Sequence, residues 1–156
     1  MKPFDYVEIR IPAKPQYVSV ARLTISGLAN RVGFTYDDIE DLKIATSEAI
    51  TNAVQHAYSE DEDGEVVIGC AMYEGKIEIM VADHGKSFDF EETKAQVGPY
   101  SEMEEVSFLR EGGLGLYLIE TLMDEVKVHQ QEGITVFMTK HVGIEQVDGH
   151  VKHVSS

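Results

Sequence analysis

The chain has one cysteine, Cys70, in 156 residues. One thiol cannot close an intrachain disulfide, so cross-links play no part in holding the fold, and the expected compartment is the cytoplasm. No apolar run approaches membrane-spanning length, and the opening MKPFDYVEIR lacks the apolar stretch of a signal peptide. Positive charge is scarce: 13 Lys and Arg stand against 28 Asp and Glu, a net charge of −15. Such a field repels nucleic-acid phosphates and anionic membrane, which argues against either as a direct partner and suits a basic or mixed protein surface. It also means that an anionic ligand such as a nucleotide needs local help from backbone N–H groups, a helix N-terminus or a metal ion. Internal repeats and low-complexity tracts are absent.

What is present is the composition of one globular domain. The apolar share is 43%, and a chain of this size buries roughly 68–70% of its unfolded surface. Tyr6 to Ile11 alternates with Val7, Ile9 and Ile11 on one face and predicts a strand ended by Pro12. Tyr17 to Val32 predicts an amphipathic helix closed by Gly33, and Asp37 to Tyr58 a second one, capped by Thr35 or Asp37. Two hairpins follow from the same reasoning. Glu65–Tyr73 and Lys76–Ala82 turn at Glu74-Gly75, and Glu125–Gln130 and Ile134–Lys140 turn at Glu132-Gly133. Between them lie an aperiodic acidic stretch, about 86–112, expected to be a lid or binding loop, and a short apolar helix from Leu114 to Met123. Residues 142–156 read as a flexible tail after a domain of residues 1–141. Hairpins without β-α-β alternation predict an α/β (α+β) two-layer sandwich, a mixed and mostly antiparallel sheet with helices on one face.

Three constellations carry chemistry. In EAITNAVQH, Glu48, Asn52 and His56 fall four residues apart, one helical turn each, so they share a stripe flanked by Ala49, Ala53, Val54 and Ala57. A Glu there is a candidate general base, an Asn oxygen can ligate Mg²⁺, and His56 reads as a structural hydrogen-bonding residue. Asp83 ends an apolar strand, where a carboxylate needs a partner such as a purine amine, and Gly85 would admit a flat ring to the backbone. Gly112-Gly113-Leu114-Gly115-Leu116 opens a helix and would present N–H groups to phosphate oxygens. Other motifs fail. Gly85-Lys86-Ser87 has Met80 where a P-loop needs its first glycine, Leu118 occupies the third glycine of a dinucleotide fingerprint, and His150 and His153 lack further zinc ligands.

Glu48-x-x-x-Asn52, Asp83-x-Gly85 and Gly113-x-Gly115, in this order with a lid between the last two, resemble the asparagine box and the two glycine boxes of the GHKL ATPase/kinase superfamily, which has the Bergerat fold. The segments EDLKIATSEAITNAVQHAY and REGGLGLYLIETLMDEV are most similar to the bacterial anti-sigma factor serine kinases of the anti-sigma-B type. That resemblance implies a protein that holds a sigma-B-type sigma factor and uses ATP to phosphorylate a serine of its anti-anti-sigma antagonist. It further implies a homodimer. By the same resemblance Asn52 would hold Mg²⁺ on the phosphates and Glu48 would be the general base. Asp83 would bind the adenine amino group with Gly85 beneath the ring, Gly113 and Gly115 would line the triphosphate, and Thr135 would lie near the adenine. Arg110 is the candidate lid arginine. The first glycine box often has a second glycine where this chain has Ser87, a change expected to affect hinging. Two other readings differ in kind: a nucleotide-shaped anti-sigma binding module without phosphate transfer, and a stand-alone ATPase.

Overall fold

A computed structural model describes residues 2–60, 63–83, 98–99, 114–130 and 133–143. Six strands form one sheet: β1 (Asp5–Pro12), β2 (Glu65–Tyr73), β3 (Lys76–Ala82), β4 (Gly98–Pro99), β5 (Glu125–Gln130) and β6 (Ile134–His141). Their order is β1-β2-β3-β6-β5-β4 and every described pairing is antiparallel. Among the described residues three helices, α1 (Val18–Val32), α2 (Tyr36–Glu60) and α3 (Leu114–Leu122), accompany it. A 3-10 turn, Pro15–Tyr17, leads into α1.

Local chemistry accounts for the element ends. Gly33 closes α1 in the left-handed conformation (φ 106°), its N–H donating to the carbonyls of Ala29 and Asn30. The Thr35 hydroxyl accepts the Asp38 N–H at 3.3 Å, so Thr35 is the cap of α2 and Asp37 lies inside the first turn. Gly75 (φ 87°) and Gly133 (φ 124°) turn the two hairpins.

The helices cover one face. Ala21, Ile25 and Ala29 of α1, Leu42, Ala45, Ala49, Ile50, Ala53 and Ala57 of α2, and Ile119 of α3 are buried against Val66, Ile68, Cys70, Ile77, Ile79, Val81, Val136 and Met138 of the sheet. The three- and four-residue spacing along α2 and the two-residue spacing along the strands meet here, as both periodicities require. The sheet's other face has a smaller buried cluster of Ala71, Tyr73, Met80 and Phe137. Beside it the Tyr73 hydroxyl donates to Glu78 Oε1 at 2.9 Å and Lys76 Nζ stands 3.4 Å from Oε2.

The expected sandwich is the observed fold, with two differences of detail. Tyr17 belongs to the 3-10 turn rather than to α1, because Pro15 sets the tighter turn that precedes the helix. Within the stretch read as a lid, Gly98 and Pro99 pair with Val128 and Lys127 on the edge of β5, where a proline costs no ladder bond on its outer side. The rest of that stretch and the tail from residue 144 lie outside the described residues. Val142 is still tied in, its N–H donating to the Gly75 carbonyl at 2.8 Å.

Candidate functional site

Helix α2 sets one wall. Glu48, Asn52 and His56 lie on it in successive turns, each half-buried, over about 12 Å of helix axis. Their neighbours Ala49, Ala53 and Ala57 are fully packed, so the stripe borders the core.

Helix α3 closes the first end of the stripe. A Cβ added at Gly115 would stand 3.1 Å from Asn52 Nδ2 and 3.1 Å from Glu48 Oε2. Any other residue there would push on both side chains, so the glycine brings the α3 backbone directly against the pair. Glu48 also borders a cleft of about 490 Å³ on its other side, lined by Arg22, Lys43, Ser47 and Thr51 among others. There Arg22 Nη1 donates to Ser47 Oγ at 3.2 Å and Lys43 Nζ pairs with Glu40 at 3.0 Å. Glu48 therefore stands against the glycine helix and also lines a cleft in which Arg22 and Lys43 are matched by Glu40 and by Glu48 itself.

Asp83 marks the other end. Its side chain is 1% exposed. Its N–H donates to the Ile134 carbonyl at 3.2 Å, and Oδ1 accepts the Ile134 N–H at 2.8 Å. His56 Nδ1 lies against the second oxygen, Oδ2. The stripe thus runs from Glu48 and Asn52 beside Gly115 to His56 beside Asp83.

Of the residues singled out in the sequence, Glu48, Asn52 and Gly115 meet directly, and Asp83 joins them through His56. Thr135 does not come to Asp83. Strand alternation places it on the face of Phe137, and the residue bonded to Asp83 is Ile134. Gly85, Arg110 and Gly113 lie outside the described residues. Sequence reasoning missed the contact between His56 and Asp83, although the i+8 spacing from Glu48 was a usable signal. It also missed Ile134, which acts through its backbone and leaves no trace in residue type, and the cleft beside Glu48.

The donor chemistry suits magnesium. The Asn52 amide meets the Gly115 position through Nδ2, and its oxygen is of the kind this cation takes, with few protein ligands and substrate phosphates completing the shell. Among the described residues no group of three or more His, Cys, Asp and Glu side chains could hold a metal by itself. Cys70 is no nucleophile, since burial pushes its thiol up to about 12.

A helix with Glu and Asn one turn apart, met by the glycine of a second helix and ending at a strand carboxylate, is the layout of an ATP-binding two-layer sandwich. The profile of the histidine kinase-like ATPase domain matches residues 11–140. The serine-protein kinase RsbW of Oceanobacillus iheyensis is 58% identical over 148 residues, covering 95% of this chain and 94% of that protein. The serine-protein kinase RsbW of Bacillus subtilis is 58% identical over 144 residues (92% and 90%), and that of Listeria monocytogenes 51% identical over 152 residues (97% of each). The fold is also that of a crystal structure of the RsbU and RsbW domains of a Mycobacterium tuberculosis protein, with a TM-score of 0.62 and 23% identity over 90% of this chain and 32% of that one. The chain belongs to the histidine kinase-like ATPase family and, within it, groups with the serine-protein kinases RsbW.

Proposed function

We propose that this chain is an ATP-dependent protein-serine kinase that also acts as an anti-sigma factor. It holds a sigma-B-type sigma factor and phosphorylates a serine of the anti-anti-sigma antagonist, so that the antagonist's phosphorylation state decides which partner is bound. The observation that carries this reading is the placement of Glu48. Its carboxylate stands against the position of Gly115, beside Asn52, and the residue also lines a surface cleft with Arg22, Lys43, Ser47 and Thr51.

In the transfer, the serine oxygen attacks the γ-phosphorus of ATP as the bond to the β–γ bridging oxygen breaks, ADP leaves, and the serine proton passes to Glu48. Such a reaction asks mainly for positioning and charge neutralisation. Asn52 would hold Mg²⁺, which supplies that neutralisation when bound. Gly113 and Gly115 would line the phosphates with backbone N–H groups at the start of α3, and Asp83, with Gly85 beneath the ring, would take the adenine amino group. Arg22 and Lys43 line the cleft together with Glu40 and Glu48, so an approaching acceptor segment would meet charges of both signs there. Arg110 would serve the γ-phosphate from the lid. Thr135, which the resemblance sets near the adenine, lies on β6 next to the Ile134 that pairs with Asp83, on the face of Phe137. We further propose that the chain works as a homodimer in the cytoplasm.

The test is transfer of label from γ-labelled ATP to the purified antagonist. Glu48→Gln should lower the rate by roughly 10²–10⁴-fold and leave ATP affinity and sigma capture unchanged. Undiminished transfer would remove Glu48 from the role of base. No label on any serine despite ATP binding would favour the binding-module reading.

A further inference from the structure

The chemistry assigned so far leaves His56 unused, although it is the residue that reaches Asp83. Each oxygen of the Asp83 carboxylate has a neighbour. Oδ1 accepts the Ile134 N–H at 2.8 Å, and Oδ2 meets His56 Nδ1. Both His56 Nδ1 and Asp83 Oδ2 are buried, although the two are not aligned as a straight hydrogen bond. An ionised carboxylate oxygen only accepts, so the imidazole nitrogen facing it must carry the hydrogen. The His56 side chain is 31% exposed while that of Asp83 is 1% exposed, so the imidazole reaches from solvent to a buried carboxylate. The histidine also shares the α2 stripe with Asn52, one turn away, which places it along the same wall as the phosphate end.

We propose that His56 is a positioning residue that fixes the rotation of the Asp83 carboxylate through an Nδ1–H contact with Oδ2, and thereby sets the preference of the site for a purine bearing a 6-amino group. The χ2 torsion of an aspartate is broad, so a neighbour at Oδ2 narrows the range of planes the carboxylate can take. Anchored at both oxygens, it presents its remaining lone pairs in one plane. A 6-amino group, a donor, is accepted there, while a 6-oxo group, an acceptor, meets the carboxylate as a repulsive neighbour. The selectivity belongs to the site as a whole, but its sharpness comes from the fixed plane. This inference rests on the reading of Asp83 as the adenine-recognising residue.

The test compares binding of ATP, of its 6-deamino analogue purine riboside triphosphate, and of GTP to the wild-type chain and to His56→Ala and His56→Asn, by calorimetry in Mg²⁺. Wild type is expected to prefer ATP over the deamino analogue by roughly tenfold or more, the worth of a hydrogen bond to a charged acceptor. In His56→Ala that ratio should collapse to about twofold, with the affinity for the deamino analogue nearly unchanged. His56→Asn should restore most of it, because its amide nitrogen reaches the place of Nδ1. A wild type that fails to discriminate would defeat the reading of Asp83 itself. A wild type that discriminates, alongside a His56→Ala chain that discriminates equally well, would overturn the role of His56 and leave Asp83 standing. Nitrogen-15 spectra of the nucleotide-free protein, labelled at histidine, give a second readout. A His56 Nδ1 bearing hydrogen is expected, and a bare Nδ1 would overturn the proposal.

Discussion

At Gly115 a single hydrogen in place of a side chain decides how close α3 comes to Glu48 and Asn52. A methyl group would sit 3.1 Å from a polar atom of each, closer than carbon comfortably approaches, so both side chains would shift by a few tenths of an ångström. Alanine also has the better helix propensity, so the substitution should spare or slightly raise stability while disturbing the site. Gly115→Ala is therefore expected to slow phosphate transfer by roughly tenfold to a hundredfold with little change in melting temperature. Steady-state kinetics beside thermal denaturation would check this, and a large drop in melting temperature with normal kinetics would contradict it. Asp83 makes the complementary point. A carboxylate with a 1% exposed side chain would be costly in isolation, and the Ile134 N–H and His56 are what make it tolerable.

At the scale of the element, α1 separates two kinds of glycine. Gly27 is exposed in the helix interior with nothing within 4 Å of an added Cβ, whereas Gly33 ends the helix at φ 106°. Gly27→Ala should stabilise the protein by roughly 0.5–1 kcal/mol through reduced backbone freedom. Gly33→Ala should destabilise it by roughly 1–2 kcal/mol through left-handed strain, although the space there is equally open. Urea denaturation of the two variants should move the midpoint in opposite directions. In α2 the packed face and the polar stripe divide one helix between them. The alanines fix how deep α2 sits, and their small size lets Glu48, Asn52 and His56 border the core without being swallowed by it.

For the whole molecule, an interior strand of the sheet carries an ionisable group whose titration couples to folding. Cys70 lies in β2 against the helices, and burial raises its thiol from 9.0 to about 12. Below pH 9 the thiol is neutral in both the folded and the unfolded chain, and it adds no pH dependence. Above that, the unfolded chain ionises first, so stability is lost as pH rises from about 9 towards 12, by about 1.4 kcal/mol per pH unit for this one group. Cys70→Ala should flatten this alkaline limb in a denaturant titration at several pH values. In the native protein at neutral pH, thiol reagents should modify Cys70 only as fast as the chain opens around it, since the thiol is buried between the sheet and the helices.

Periodicity alone determined most of the framework of this protein. Alternation marked β1, apolar runs on either side of Glu-Gly turns marked the two hairpins, the helical spacing from Leu42 to Ala57 marked α2, and glycines at 33, 75 and 133 marked the ends that need positive φ. These signals are local, because backbone sterics and a single buried face act over a few residues. The spacing of Glu48, Asn52 and His56 likewise put them on one face before any coordinates. Tertiary structure alone decided what each of them meets. Asp83 is reached by His56 from 27 positions earlier in the chain and by the Ile134 backbone from 51 positions later. Gly115 arrives against Asn52 from a helix that is remote in sequence. The register between β3 and β6 sets Ile134 rather than Thr135 beside Asp83, and a shift of one residue would have reversed them. Residue types and their period specify which side chains share a surface, whereas contacts between distant segments depend on how those surfaces pack.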